Sequence, residues 1–231
     1  MSNLASSASS PSTDQRIGSQ AISISTTQTA TSLLTQAELT AAADLTLFDT
    51  NGNKVNFGRL FELQRTIVVF IRHFFCGTCQ QYVSQLTTVR PEVLDQTGTS
   101  IVIIGCGDWL LLKNYRDMTC PPNHSRIAYY ADPTRTVYRA LGMNIETLET
   151  TPKGEEKKSY IKKGIVSSTV TSIMRALKNP AHLGKQGNIS QLGGEFIFGP
   201  GNICTFAHHM RHTEDHVEIP QLFKEAEVPF P

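Results

Sequence analysis

Cys76-Gly77-Thr78-Cys79 sets two thiols three positions apart with only small residues between them. That arrangement suits thiol–disulfide exchange: one thiolate attacks the substrate, and a second thiol resolves the mixed intermediate. Two blander readings compete with it. Tetrahedral zinc needs a second Cys or His pair, and Cys106, Cys120 and Cys204 supply none at that spacing. Free cysteines also pack well as small core residues. Redox chemistry is favoured over both by position, because the pair falls where a buried strand passes into an amphipathic helix.

The strand is Thr66 to Phe75, TIVVFIRHFF, a β-rich and nearly unbroken apolar run of the kind covered on both faces. After it, Cys79, Tyr82, Val83 and Leu86 fall at i, i+3, i+4 and i+7, one face of a helix that ends or kinks after Arg90 at Pro91. Cys76 then sits at or near the N-cap, where unpaired N–H groups and the helix dipole favour a thiolate. Its pKa is expected well below the roughly 8.5 of a free thiol. Cys79 falls on the apolar stripe, so the expectation is an exposed, activated Cys76 and a shielded Cys79. Arg72 interrupts the apolar strand and needs a partner, either the thiolate or a carboxylate. His73 could exchange a proton with Cys76, although adjacent strand residues face opposite ways, which favours a structural role. Cys106 ends another apolar run, and parallel pairing would put it on the same sheet edge as Cys76, as a third redox thiol or a packing residue.

Other elements follow from the same signals. Gln36 to Ala43 is helix-permissive, and Asp49-Thr50-Asn51-Gly52 marks a hairpin between Leu45–Phe48 and Lys54–Phe57. Ser100–Ile104 and Ile127–Tyr130 read as strands. Asp108 caps a helix from Trp109 to about Met118, and Asp132-Pro133 caps one over Thr134–Ala140 that stops before Gly142. Glu195–Phe198 and Ile203–Phe206 flank the turn Gly199-Pro200-Gly201, and a helix over Pro220–Ala226 closes the chain. Alternating strands and helices define an α/β class. Between about 144 and 191 the pattern lapses into a Lys-rich polar loop, read as a solvated face, and an amphipathic stretch around Val170, Ile173, Met174 and Leu177.

Composition narrows the function. The 231 residues carry a formal charge of +1, without the basic footprint of a nucleic-acid binder. No apolar run approaches the roughly 20 residues of a membrane helix, so no membrane is expected as a partner. Five unevenly spaced cysteines do not make a secreted disulfide framework, which points to a reducing, cytoplasmic setting. Nearly half of residues 1–33 are Ser or Thr, with no aromatics, so residues 1–38 are expected as a disordered tail and 39–231 as one α/β domain. His208, His209, His212 and His216 crowd near Glu214 and Asp215. Three of them would line a helix face and could bind a metal, but the stretch leaves a strand, so a surface loop with one structural His–Asp pair is the expectation.

FIRHFFCGTC, ADPTRTVYRALGM, SIMRALKNP, LGGEFIFGPGN and the spaced DH of TEDHVEIP together resemble the peroxiredoxin-like 2 group of AhpC/TSA-type thioredoxin-fold proteins. The resemblance runs from about Ala43 to Val228. It implies a thioredoxin-like fold, a central mixed sheet flanked by helices, with an N-terminal β-hairpin and an inserted loop-helix segment. It also implies a redox site at Cys76 and Cys79, preceded by the group's Arg72–His73 pair. Arg175 matches a family arginine, and His208, Asp215 and His216 match the group's C-terminal pattern. The chain departs from peroxiredoxins at His73 and Val69, which stand where a Thr and a Pro form the usual peroxide cradle. Gly193-Gly194 replaces the proline that faces the cysteines in thioredoxins.

The resulting expectation is a thiol-dependent oxidoreductase that reduces a disulfide, peroxide or endoperoxide and is itself reduced by a thioredoxin or glutathione system. No flavin, nicotinamide or metal cofactor is expected. A non-catalytic binding module on this fold, using the 144–191 segment as its contact surface, is the competing class. A specialised small-molecule enzyme of secondary metabolism, with the same segment closing a small-molecule pocket over Cys76, is the third.

Overall fold

A computed structural model describes residues 34–122, 124–161 and 184–230. The expected amphipathic stretch around Val170–Leu177 and Arg175 with it lie outside the described residues, as does most of the Ser/Thr-rich tail. The first described element, α1 (Gln36–Ala43), opens with a capping box: Thr35 Oγ1 accepts the Glu38 N–H, and the Glu38 carboxylate accepts the Thr35 N–H.

The apolar runs form one sheet. Strands β1 (Thr46–Phe48), β2 (Lys54–Asn56), β3 (Arg65–Phe70), β4 (Thr99–Gly105), β5 (Ile127–Ala131), β6 (Gly194–Phe198) and β7 (Cys204–His209) lie in the order β2-β1-β5-β4-β3-β6-β7. The β3–β4 and β4–β5 pairs are parallel, and the remaining pairs are antiparallel. This is the expected mixed sheet. The hairpin turn forms as anticipated, with Gly52 at φ +82° and Asp49 Oδ1 accepting the Asn51 and Asn53 N–H groups.

Helices cover both faces. On one side lie α2 (Gly77–Leu86), α3 (Pro91–Gln96), α4 (Leu112–Thr119) and α6 (Ile219–Glu225), packed on Ile67, Val69, Ile101 and Ile103. On the other, α1 and α5 (Thr136–Ala140) pack on Val68, Phe70, Val102 and Ile104. Residues alternate between the two layers along each central strand, and burial on both faces explains why the strands read as unbroken apolar runs.

Several boundaries differ from expectation. The β3 ladder stops at Phe70 rather than Phe75, where its antiparallel partner β6 begins at Gly194. Gly193 just before it lies so close that a Cβ there would stand 1.8 Å from the Phe70 carbonyl oxygen. Helix α2 ends at Leu86, and Pro91 takes the first position of a new helix instead of ending the old one. The expected helix from Trp109 begins as a 3-10 turn, Trp109–Leu111, capped by Asp108. Pro133 is not helical: α5 starts at Thr136, and buried Asp132 reaches forward to the N–H groups of Thr136, Val137 and Tyr138. Gly142, at φ +83°, ends α5 as expected, with Met143 N–H bonded to Tyr138 O and Gly142 N–H to Arg139 O.

The described part of the 144–191 segment is tied to the domain. Glu146 and Gln191 form a bridge, and Thr147 N–H bonds to Ser190 O at 2.8 Å. Lys153 and Lys157 are exposed, as the solvated-face reading requires, but Tyr160 is driven fully into the core.

Candidate active site

Cys76 occupies the N-cap of α2 itself, with φ −75° and ψ 109°, and its Sγ accepts the Cys79 N–H at 3.3 Å. A helix start leaves N–H groups unpaired, and here a sulfur takes the place usually held by a Ser or Asp oxygen. Arg72 Nη1 stands 3.5 Å from the same sulfur, and Arg72 Nη2 donates to Ile189 O at 2.6 Å. Among the described residues the buried arginine is therefore partnered by the thiol and a carbonyl rather than a carboxylate. Hydrogen bonding from the Cys79 thiol pulls the Cys76 pKa down most; burial opposes it, and the Arg72 guanidinium adds to the lowering, leaving it at about 6. Cys79 moves the other way: burial and the neighbouring Cys76 hold its pKa well above that of an ordinary thiol. The expected asymmetry in acidity between the two sulfurs is present.

The expected asymmetry in exposure is not. Cys76 is 4% exposed and Cys79 fully buried. A cover closes the site, drawn from the 144–191 segment that the third expectation set over Cys76. Residues 185–189 lie along the carboxyl edge of the central strands, where Lys185 O accepts the Asp108 N–H, Gln186 O the Phe74 N–H and Ile189 O the Arg72 guanidinium.

His73 lies past the end of β3, so strand alternation does not govern it. It is 8% exposed, Nδ1 has no hydrogen-bond partner among the described residues, and burial together with the Arg72 charge lowers its pKa to about 3. Neutral His73 cannot act as a proton donor to Cys76 near neutrality. Cys106 does reach the same edge, and its thiol donates to Arg72 O at 2.9 Å. Burial pushes its pKa up to about 11, which fits packing rather than reactivity.

The histidine cluster is not a helix face, and His216 is not on the surface. His216 is fully buried, with Nε2 3.5 Å from Cys79 Sγ and Nδ1 paired with the buried Glu195 carboxylate. Its ring stacks on Tyr82 at 4.3 Å, and its backbone N–H donates to the Tyr160 hydroxyl at 3.0 Å. Asp215 pairs with Arg211, and His208 Nε2 contacts Asp215 O at 2.8 Å. Among the described residues no group of three or more His, Cys, Asp or Glu is placed to hold a metal ion. Glu195 and Tyr160 were not anticipated as site residues. The one available signal for Glu195 is that it is the sole acid in the apolar run GGEFIFG, where a buried charge must find a partner.

A mixed sheet sandwiched between helices, with a helix starting where a central parallel strand ends, is the architecture of the thioredoxin fold. The chain belongs to the AhpC/TSA antioxidant enzyme family, whose model matches residues 85–212, a span that begins beyond the cysteine pair. It is 34% identical over 184 residues to the Peroxiredoxin-like 2C of Bos taurus, covering 78% of this chain and 75% of that relative. Among solved structures it resembles a mutant of Peroxiredoxin 6 from Arenicola marina, with TM-score 0.51 and 12% identity over 80% of this chain and 69% of that one. It also resembles a peroxiredoxin-like protein from Aquifex aeolicus, with TM-score 0.51 and 7% identity over 79% of this chain and 81% of that one. At such identities these structures speak to the fold alone.

Proposed function

We propose that this protein is a thiol-dependent oxidoreductase in which Cys76 attacks and Cys79 resolves. The Cys76 thiolate attacks a disulfide sulfur or a peroxide oxygen, and the leaving thiolate or alkoxide takes a proton. Cys79 then displaces the bound fragment, and the substrate has gained two electrons while the pair has become a disulfide. A thioredoxin or glutathione system returns the electrons, in a reducing compartment such as the cytoplasm, where five free thiols persist.

The observation that carries this reading is Cys76 at a helix N-cap under an arginine, with its pKa lowered to about 6. Of the candidate substrates a disulfide fits best. His73 and Val69 stand in place of the hydroxyl and ring of the peroxide cradle, and His73 offers a ring nitrogen, unpaired among the described residues, instead. Arg175 remains a candidate only by resemblance. Thiol trapping with mass analysis after mild oxidation tests the proposal: a Cys76–Cys79 disulfide is expected, and full activity in Cys76→Ser overturns it. Stopped-flow oxidation by hydrogen peroxide against an aromatic disulfide tests the substrate preference, with the disulfide expected to react faster.

A further inference from the structure

Cys79 has one proton and two neighbours able to take it. One is Cys76 Sγ, which the Cys79 thiol stabilises as a thiolate. The other is His216 Nε2, 3.5 Å from Cys79 Sγ. The imidazole has little freedom to turn. Glu195 Oε2 accepts the Val217 N–H at 3.3 Å while Oε1 pairs with His216 Nδ1. A carboxylate facing an N–H with each oxygen places the imidazole proton on Nδ1 and leaves the Nε2 lone pair toward the sulfur. Tyr82 from α2 stacks on the ring, and Tyr160 holds the His216 backbone. The other ionisable groups near it are Cys76 on α2, His208 on β7 and Asp215 beside it in the chain, and Asp215 is committed to Arg211.

We propose that His216 is the base for the resolving step, with Glu195 as its positioning residue, so that Cys79 is released to attack only after Cys76 has been consumed. This rests on reading Cys76 as the attacking thiol. While Cys76 is a thiolate, it holds the Cys79 proton. Once its sulfur is bonded to a substrate sulfur it no longer carries charge and accepts poorly, and Nε2 is left as the better acceptor. The proton passes to Nε2 and Cys79 attacks Cys76 Sγ. The Cys76–Cys79 bond forms, the Cys76–substrate bond breaks with its electron pair leaving on the substrate thiolate, and His216 returns the proton to that thiolate. Solvent is a poor substitute for this base, since Cys79, Glu195 and His216 are all fully buried.

A single-turnover reaction with 5,5′-dithiobis(2-nitrobenzoate) separates the two steps. Release of the first coloured thiolate reports attack by Cys76, and release of the second reports resolution by Cys79; Cys79→Ser releases only the first. His216→Asn is expected to slow the second release by about 10²-fold while the first changes by less than about threefold. Glu195→Gln, which keeps the shape, is expected to slow the second release less and to alter its pH profile. In the unmodified protein the second rate is expected to level off as pH rises, whereas deprotonation by solvent base gives a rise of about tenfold per pH unit that continues. That profile decides the matter even where a variant fails to fold. An unchanged second release in His216→Asn, or a tenfold-per-unit rise without a plateau in the unmodified protein, overturns the relay and leaves the attacking role of Cys76 intact. Absence of any first release in the unmodified protein overturns both.

Discussion

Glu195 and Phe196 are neighbours on β6, and the two faces of the sheet they serve are equally closed to solvent. On the Phe196 side the filling is aromatic: Phe196 meets Phe70 at 5.6 Å edge-on, and Phe61 stacks on Phe198 at 4.7 Å. On the Glu195 side the same depth holds a carboxylate, an imidazole and two thiols, with Arg72 at its edge. Burial is common to both, so burial alone does not make a site. The difference lies in how polar groups are satisfied. One face needs only shape complementarity, worth a few kcal/mol per large side chain. The other holds groups that are costly to bury unless each finds a partner, and that shared dependence sets the acidity of the thiols.

The sharpest way to break the comparison is to alter one atom on the polar face. Cys76→Ser keeps volume and cap geometry, so stability is expected to change by less than about 1 kcal/mol. Two-electron reduction of a disulfide substrate is expected to fall by at least about 10³-fold. Next in size are the paired changes on β6. Phe196→Ala is expected to cost about 3–5 kcal/mol in denaturant unfolding while Cys76 in the remaining folded protein keeps its acidity. Glu195→Ala strands a buried imidazole and is expected to cost a similar 3–5 kcal/mol, but it also slows thiol resolution. Equal thiol kinetics in the two variants would erase the distinction between the faces.

What was legible in the residues divides along the same line. The central strands, the α2 stripe with Cys79, Tyr82, Val83 and Leu86, and the Cys76 cap follow from local patterns, because each is set within a few residues of chain. The contacts that close the site were not legible, because they are distant in sequence. Arg72 meets Ile189 across 117 positions, and Cys79 meets His216 across 137. FIRHFF continues the apolar run of β3 without a mark where the ladder stops; the end is set by the start of its partner strand at Gly194. His216 was visible as a residue type in an expected loop, but its burial against Glu195 and Cys79 was not.

The thiols themselves sharpen the comparison further. Cys76 is expected to react with iodoacetamide at a rate that rises with pH through about 6 and then levels, because the thiolate is the nucleophile and its pKa is lowered. Cys106 and Cys204, whose pKa values burial raises to about 11, are expected to stay unlabelled across that range in the folded protein. The sign for stability follows. A group whose folded pKa lies below its unfolded value stabilises the fold above the unfolded pKa and loses that contribution as pH falls through about 6. Arg72→Gln removes a charge that favours the thiolate, so the alkylation midpoint is expected to move up. Mass analysis of labelled peptides across a pH series reads both effects.

The smallest expected effect tests whether the segment after residue 144 belongs to the polar face or merely covers it. Tyr160 donates to Glu214 O at 2.7 Å and accepts the His216 N–H at 3.0 Å, while its ring meets Tyr82 edge-on at 5.0 Å. Tyr160→Phe keeps the ring and removes only the hydroxyl, leaving a buried N–H and a carbonyl short of a partner. The expected loss is about 1–3 kcal/mol, read from the denaturant midpoint. If the segment only covers the site, the loss stops at stability and thiol kinetics are unchanged. If it holds His216 in register with Cys79, the second thiol release slows several-fold while the first does not, because attack by Cys76 does not depend on where the imidazole stands. A ring position shifted by less than an ångström is enough for that split, since proton transfer over 3.5 Å has little distance to spare.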